Sequence, residues 1–204
     1  MKKNVLICVI ALYTFGIALT YNLYANIKKE LAIKNEYINN LESKYIAVRP
    51  QFEFNINNLG YGIDTSTVLT DTAKMQYKLL DLVQGNNMTF ICRYSDDCCR
   101  ECVDYAIHIL INQVDTSFLG NILFVGTNEN NRIFKKQTKD LGLSSYHAYN
   151  CISLNIPAEE VKYPYYMIVD GSLNVRAVYF PNKSASHLKI DRENVKLMYN
   201  AIRR

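Results

Sequence analysis

Residues Met88–Ile107 read MTFICRYSDDCCRECVDYAI, and this stretch decides the fold class. An apolar run typical of a buried strand leads into a short acidic loop, and the loop opens a helix whose first turn carries Cys99-Arg-Glu-Cys102. Two thiols spaced C-x-x-C can close into a small disulfide ring. The unpaired N–H groups and partial positive charge of a helix N-terminus stabilise a thiolate on the first of them. The stretch therefore has the arrangement that thiol–disulfide chemistry requires.

Composition limits the function classes that need to be considered. The chain has 204 residues, enough for one domain of moderate size plus an extension. Hydrophobic residues make up 49% and charged residues 21%, as in an ordinary globular protein. The net charge of +4 is modest and the lysines are scattered, so we predict no nucleic-acid partner.

The cysteines point to one local site. They lie at positions 8, 92, 98, 99, 102 and 151. A structural disulfide framework would spread them along the chain, whereas four of these fall within eleven residues. A structural zinc site usually has two spaced ligand pairs, and only one is present, so we predict no metal site. Cys92 and Cys151 are interpreted as small buried hydrophobes.

The N-terminus carries an apolar run, residues 5–24, that no charge interrupts. About 20 helical residues span the ~30 Å hydrocarbon core of a bilayer. A cleaved signal peptide is disfavoured because residues 23–25 (LYA) lack the A-x-A pattern, and a lipoprotein signal because Cys8 comes too early. We predict that residues 1–25 are a signal anchor with Lys2 and Lys3 inside. The protein would then be a single-pass protein of the cytoplasmic membrane whose C-terminal domain is extracytoplasmic, periplasmic in a Gram-negative cell.

Residues 26–50 are predicted to form a helical stalk. Apolar residues follow 3/4 spacing, with Lys34 as the one polar break, at Ile27, Leu31, Ile38, Leu41, Tyr45 and Val48. About three heptads of this kind are the lower limit for a coiled coil, so two hypotheses stand: a helical spacer and a dimerising stalk. We expect Arg49-Pro50 to end the helix, because the residue before proline avoids the α region.

Residues 51–204 are predicted to form the folded domain. After two short extended pieces we expect a helix at 72–83, and then the strand and helix around the C-x-x-C. A second buried strand at 121–126 and a helix at 128–141 follow. The chain then continues with an extended piece at 145–153, a hairpin of 165–169 with 175–180, and a closing helix capped by Asp191. Alternating strands and helices indicate parallel strands covered by helices, and the hairpin adds antiparallel ones. The fold class is therefore an α/β mixed-sheet sandwich.

A strand, then C-x-x-C opening a long helix, then X-Pro before a hairpin and a closing helix resembles the thioredoxin fold. With the N-terminal anchor, the chain is similar to the membrane-tethered TlpA/ResA-like thiol–disulfide oxidoreductases. The resemblance implies that Cys99 is the nucleophile and Cys102 the resolving thiol. It further implies that Pro164 is a cis-proline and forms, with Tyr163, part of the substrate-binding surface. No cofactor is implied, and the partners are protein thiols and disulfides of the cell envelope.

Local charge gives a prediction about the redox poise. The helix start and Arg100 should lower the pKa of the Cys99 thiol, and Asp96, Asp97 and Glu101 should oppose this. A thiolate with little added stabilisation favours the oxidised form, so the pair is predicted to act as a reductant.

Two alternatives remain. The first is a non-catalytic thioredoxin-like protein-interaction module, whose cysteines do no chemistry. The second is a Sco-like copper chaperone, which such a fold builds from C-x₃-C and a downstream histidine. Here Cys98 and Cys102 would supply the thiols, although Tyr163-Pro164 stands where that family places its histidine. Cys98 could equally be a buried thiol or a rival partner for Cys102.

Overall fold

The computed structural model describes residues 2–115, 119–184 and 187–203, without the side chains of residues 2–12, 43, 44 and 46–48. The chain divides between Pro50 and Gln51 into two compact units. Within the described residues, no helix is both long enough and apolar enough to cross a membrane. Of the predicted anchor, residues 1–25, the structure describes the side chains of residues 13–25 only.

The first helix, α1, spans Lys2–Asn58. The other helices are α2 Leu79–Val83, α3 Arg100–Gln113, α4 Asn131–Asp140, a 3₁₀ helix Pro157–Val161 and α5 Leu188–Ile202. The strands are β1 Val68–Asp71, β2 Gln76–Lys78, β3 Met88–Ser95, β4 Leu123–Thr127, β5 His147–Asn150, β6 Tyr165–Asp170 and β7 Val175–Tyr179.

The prediction that α1 ends at Arg49-Pro50 is wrong, because the helix continues through Pro50 to Asn58. Its last two turns, which belong to the second unit, are tied to the rest of that unit by two hydrogen bonds. The side-chain oxygen of Asn55 accepts a hydrogen bond from the Val178 N–H at 2.9 Å, and that of Asn58 accepts one from the Ala158 N–H at 2.9 Å. These hydrogen bonds offset the loss of the intrahelical hydrogen bond that Pro50 cannot make.

The predicted helix at 72–83 is also largely wrong. The segment first forms an antiparallel hairpin of β1 and β2, and only Leu79–Val83 is helical. The Asp71 carboxylate accepts hydrogen bonds from the N–H groups of Ala73 (2.8 Å) and Met75 (2.9 Å), and Lys74 has a φ of 71°. An aspartate that binds backbone N–H groups ahead of it favours a turn over a helix.

In the described part of the chain, the strands form one seven-stranded sheet in the order β2-β1-β5-β4-β3-β6-β7. β4 runs parallel to β3 and to β5, whereas β6 is antiparallel to β3 and β7. This is the mixed α/β architecture that the sequence predicts. Since β3 and β4 are parallel, their carboxyl ends share one edge of the sheet, and the C-x-x-C motif follows β3 at that edge.

Buried side chains form two clusters, one on each face of the sheet. β3 divides its side chains between them with the period of two expected of a strand: Phe90, Cys92 and Tyr94 lie on the face covered by α3 and α5, and Ile91 lies on the other. Helix α3 is buried along Val103, Ala106, Ile107 and Leu110. This burial fixes the first turn of α3 relative to the sheet, and with it the two cysteines.

Candidate active site

Cys99 and Cys102 lie at the start of α3. Cys99 is the N-cap residue and is exposed to solvent. Cys102 is in the first turn and only 8% exposed, and its backbone N–H donates to the Cys99 carbonyl at 2.9 Å. Both carry free thiols. The structure thus brings the two predicted residues together, one accessible and one buried beneath it.

The environments of the two thiols move their pKa values apart. Hydrogen bonds from the Cys102 thiol and then from the Cys102 backbone N–H lower the pKa of Cys99, and the positive charge of Lys183 adds to this. Burial raises the pKa of Cys102, as does its hydrogen bond to Cys99. Cys99 is therefore the thiol that ionises first, and Cys102 holds its proton and donates it toward the Cys99 sulfur.

The charges around Cys99 differ from the sequence-based expectation. Arg100 does not contribute to the lowered pKa of Cys99, because its guanidinium turns along the helix to Asp104 at 3.4 Å. The cation that does contribute is Lys183, from the loop between β7 and α5. Lys183 also forms an ion pair with Glu101, so the carboxylate between the two cysteines is compensated.

The prediction that Pro164 is a cis-proline is wrong. The Tyr163–Pro164 peptide bond is trans. The preceding residue, Lys162, has a φ of 52° and a ψ of 43°, and this left-handed residue turns the chain into β6. The trans form is the intrinsically favoured isomer. Tyr163 is half-buried; burial raises the pKa of the Cys102 thiol, and the Tyr163 hydroxyl partly opposes this rise.

Cys98 is a buried thiol whose pKa is raised by its burial. It is close enough to Cys102 for its charge to raise the pKa of that thiol. Cys92 and Cys151 are free and buried, as the sequence predicts. The Cys151 thiol donates to the Ser153 carbonyl at 3.2 Å.

The ligands required by the copper hypothesis do not converge. Over residues 2–115, 119–184 and 187–203, no group of three His, Cys, Asp or Glu side chains is arranged to hold a metal ion. One histidine downstream of the cysteines, His147, begins β5 opposite Leu123, the first residue of β4, whereas the cysteines lie at the far end of the parallel strands. Four residues of strand, about 13 Å, separate these two ends of β4.

Sequence reasoning missed the buried carboxylate of Asp191. Asp191 is not the helix cap that we expect, since α5 begins at Leu188, and its side chain is fully buried. Tyr105 donates to it at 2.7 Å, Tyr179 donates to its other oxygen, and the backbone N–H of Asn182 donates at 3.0 Å. Asp191 thereby ties α3 and β7 to the loop that carries Lys183.

Sequence reasoning also missed the buried ion pair between Arg93 and Glu159. Arg93, 4% exposed in β3, binds Glu159 through its Nε at 2.9 Å and a terminal nitrogen at 2.6 Å, and donates to the carbonyls of Gly126 and Cys151. Glu159 in turn accepts from the Leu154 N–H at 3.0 Å. The pair anchors the 3₁₀ helix that leads to Tyr163. A charged residue inside an apolar strand was the available signal.

Comparisons with known proteins support the fold. No protein-family model matches the chain, and no curated protein matches it in sequence. The chain is similar to the solution structure of a thiol:disulfide interchange protein from Bacteroides sp., with 10% identity over 72% of this chain and 91% of that one and a TM-score of 0.51. It is also similar to a putative protein disulfide isomerase from Bacteroides thetaiotaomicron, with 12% identity over 74% and 93% of the two chains and a TM-score of 0.50.

A third similar structure is a hypothetical protein from Sinorhizobium meliloti 1021, with 12% identity, coverage of 72% and 85%, and a TM-score of 0.50. At these identities the likeness shows the fold alone. The domain has the expected thioredoxin-like mixed α/β fold.

Proposed function

We propose that the chain catalyses thiol–disulfide exchange through Cys99 and Cys102. The observation that carries the proposal is the pair itself: an exposed thiol at a helix start, with a lowered pKa, beside a buried thiol that keeps its proton. The thiolate is the nucleophile in disulfide exchange, and access determines which thiol reacts first. These are the properties that separate a nucleophile from a resolving thiol.

The reaction proceeds in two steps. The Cys99 thiolate attacks a sulfur of a substrate disulfide, forms a mixed disulfide and releases the first substrate thiolate. Cys102 then attacks the Cys99 sulfur, the Cys99–Cys102 disulfide forms, and the second substrate thiol leaves. The substrate gains two electrons and the chain is oxidised by two. Both steps use only the two thiols and need no cofactor.

The proposed location is the outer side of the cytoplasmic membrane. It rests on the uninterrupted apolar run at residues 5–24 and on the lysines that precede it. The substrates would then be protein thiols and disulfides of the cell envelope, a compartment in which disulfides form and persist. The proposed direction is reduction of these disulfides, because the acidic residues Asp96 and Asp97 precede the nucleophile; Glu101 is compensated by Lys183.

The stalk adds a proposed partner, a second copy of the chain. The described side chains of the apolar heptad positions, Ile27, Leu31, Ile38, Leu41 and Tyr45, are 46% to 66% exposed along α1. A parallel two-stranded coiled coil would bury this stripe.

A redox titration of the whole chain tests the activity. We expect a reversible two-electron transition that disappears in both Cys99→Ser and Cys102→Ser. A midpoint below about −200 mV supports a reductant, and one near about −120 mV, the strongly oxidising end of the range, contradicts that direction. A chain with no transition, or with one that survives both substitutions, is instead the non-catalytic interaction module.

A further inference from the structure

Asp191 is a buried carboxylate of α5 that binds an exposed loop. The residue is 0% exposed. Its side chain accepts hydrogen bonds from the hydroxyls of Tyr105, on α3, at 2.7 Å and Tyr179, on β7. It also accepts from the backbone N–H of Asn182, in the loop between β7 and α5, at 3.0 Å. A carboxylate is costly to bury unless its oxygens are hydrogen-bonded, and one of the bonds that satisfy Asp191 anchors this loop.

The anchored loop holds the backbone on both sides of Lys183. Asn182, the residue before it, is bound to Asp191 through its N–H. The side-chain oxygen of Asn182 accepts from the backbone N–H of Ser184, the residue after it, at 3.1 Å. An asparagine that binds a backbone N–H two residues ahead closes a tight turn. Lys183 lies at the centre of this turn, so the position of its backbone depends on the contact with Asp191.

The side chain of Lys183 reaches the first turn of α3. Its ammonium group forms an ion pair with the carboxylate of Glu101, and the two side chains are 47% and 73% exposed. Exposed pairs are weak, in part because holding two long side chains in one geometry costs conformational entropy. A backbone that is already fixed lowers this cost on the lysine side. Asp191 thus favours the ion pair through the loop that it anchors.

We infer that Asp191 is a positioning residue of the exchange reaction: it holds the loop after β7 so that Lys183 stays paired with Glu101. The inference deepens the proposed function and rests on it. Glu101 lies two residues after the nucleophile, Cys99. A carboxylate near a cysteine disfavours its thiolate, and a cation favours it. In keeping with this, the pKa of Cys99 is lowered chiefly by Cys102 and further by the positive charge of Lys183.

The charge of Asp191 and its positioning role act on Cys99 in opposite directions. Removing a buried anion makes a nearby thiolate easier to form. Releasing the loop instead takes the cation of Lys183 away from Glu101 and makes the thiolate of Cys99 harder to form. Replacing Asp191 by alanine therefore slows the reaction of Cys99 if positioning dominates and does not slow it if only the charge matters.

A double-mutant cycle in the whole chain separates positioning from a general structural role. Asp191→Ala is made in the parent and in the Lys183→Met variant. Alkylation of Cys99 by iodoacetamide is followed across pH by mass spectrometry of the peptide that contains it. The difference between the effects of Asp191→Ala in the two backgrounds is the part that acts through Lys183.

A second loop variant and a control complete the set. Asn182→Pro deletes the N–H that Asp191 binds and the side chain that closes the turn, and it leaves the buried carboxylate with its two tyrosines. If Asp191→Ala does not fold, Asn182→Pro carries the test alone. Tyr199→Phe is the matched control, because it removes a different tyrosine–carboxylate hydrogen bond of α5, the one to Asp115 at 2.9 Å.

We expect Asp191→Ala and Asn182→Pro each to slow the alkylation of Cys99 at pH 7 about twofold, the scale of an exposed charge pair. The midpoint of the pH profile should move to higher pH. In the Lys183→Met background neither substitution should slow the reaction further. The slowing should shrink in high salt, which screens exposed charges. Tyr199→Phe should change neither the rate nor the midpoint.

Two results overturn the inference while the proposed function stands. One is an unchanged rate in Asn182→Pro. The other is a loss as large in the Lys183→Met background as in the parent, which is the mark of a structural role. The proposed function is checked separately, by mixing the reduced parent with oxidised glutathione and following the Cys99–glutathione disulfide by mass spectrometry. If that disulfide does not form, the proposed function fails and the inference fails with it, so this reaction of the parent tells the two failures apart.

Discussion

Lys183 forms an ion pair with Glu101, the residue that lies between the two cysteines of the motif. The pair joins the loop after β7 to the first turn of α3. It places a positive charge where it lowers the pKa of Cys99, and it compensates a carboxylate that would otherwise raise that pKa. The electrostatics of the nucleophile therefore depend on a residue more than eighty positions away in sequence.

The first prediction concerns this ion pair. Lys183→Met should raise the pKa of Cys99, because it removes the cation and leaves Glu101 uncompensated. The alkylation rate of Cys99 by iodoacetamide at pH 7 should fall by about twofold, the scale expected for exposed charges, and the effect should shrink in high salt. Glu101→Gln is the matched partner and should increase the rate. If both substitutions change the rate in the same direction, the ion pair does not set the reactivity of Cys99.

The second prediction concerns the buried pair of Arg93 and Glu159. Glu159→Gln leaves the Arg93 guanidinium, 4% exposed, without its counter-charge. Breaking a buried pair from one side costs about 3 kcal/mol, and we expect the free energy of unfolding in urea to fall by about that amount.

Arg176→Gln provides the control for the second prediction. Arg176 pairs with Asp170 at a site where the arginine side chain is 51% exposed, so its loss should cost less than about 1 kcal/mol. Equal losses in the two variants would show that the Arg93 pair has no special importance.

The sequence was sufficient for the parts of the fold that depend on local pattern. β3, α3 and the hairpin of β6 and β7 lie where periodicity and the Asp-Gly turn predict them. Most of the apolar residues in each of these elements are buried. Their location follows from residues that are close together in the chain, and this also locates the C-x-x-C motif at a helix start.

The rest could not be predicted because it depends on long-range contacts. Asp191 resembles a helix cap in sequence, but two tyrosine hydroxyls and a loop N–H converge on it only in the folded chain. Pro50 should end α1, but the side chains of Asn55 and Asn58, in the turns beyond it, accept hydrogen bonds from the backbone of distant segments. Single-sequence patterns contain no information about which distant group will satisfy a buried polar atom.

The third prediction tests the proposed dimer of the stalk. Leu31→Lys places a charge in the apolar stripe and should shift the whole chain from dimer to monomer, as measured by analytical ultracentrifugation or chemical cross-linking. Ile33→Lys is matched in chemistry and exposure but lies outside the stripe; Leu31 is 57% exposed and Ile33 59%. It should leave the oligomeric state unchanged. A chain that is monomeric before any substitution contradicts the dimer and leaves the stalk as a spacer.

The fourth prediction concerns acid stability at the turn between β6 and β7. Burial alone would raise the pKa of Asp170, but hydrogen bonds from the backbone and side chain of Asn174, together with those from Arg176 and the Ser172 N–H, bring it from 3.8 to about 2. The carboxylate accepts from the N–H groups of Ser172 and Asn174, each at 2.9 Å. The folded protein therefore binds fewer protons than the unfolded chain between about pH 4 and pH 2.

The lowered pKa of Asp170 stabilises the folded protein. This stabilisation is fully present above about pH 4 and is lost as the pH falls through about 2. At about 1.4 kcal/mol per pKa unit it amounts to about 2 kcal/mol. The difference in free energy of unfolding between the parent and Asp170→Ala should shrink by about that amount from pH 5 to pH 2. Comparing the two proteins cancels the titration of the other carboxyl groups. Most of the change should persist in high salt, because the backbone N–H bonds are not screened, and a difference that stays constant down to pH 2 would show that the turn does not hold Asp170 in its ionised form.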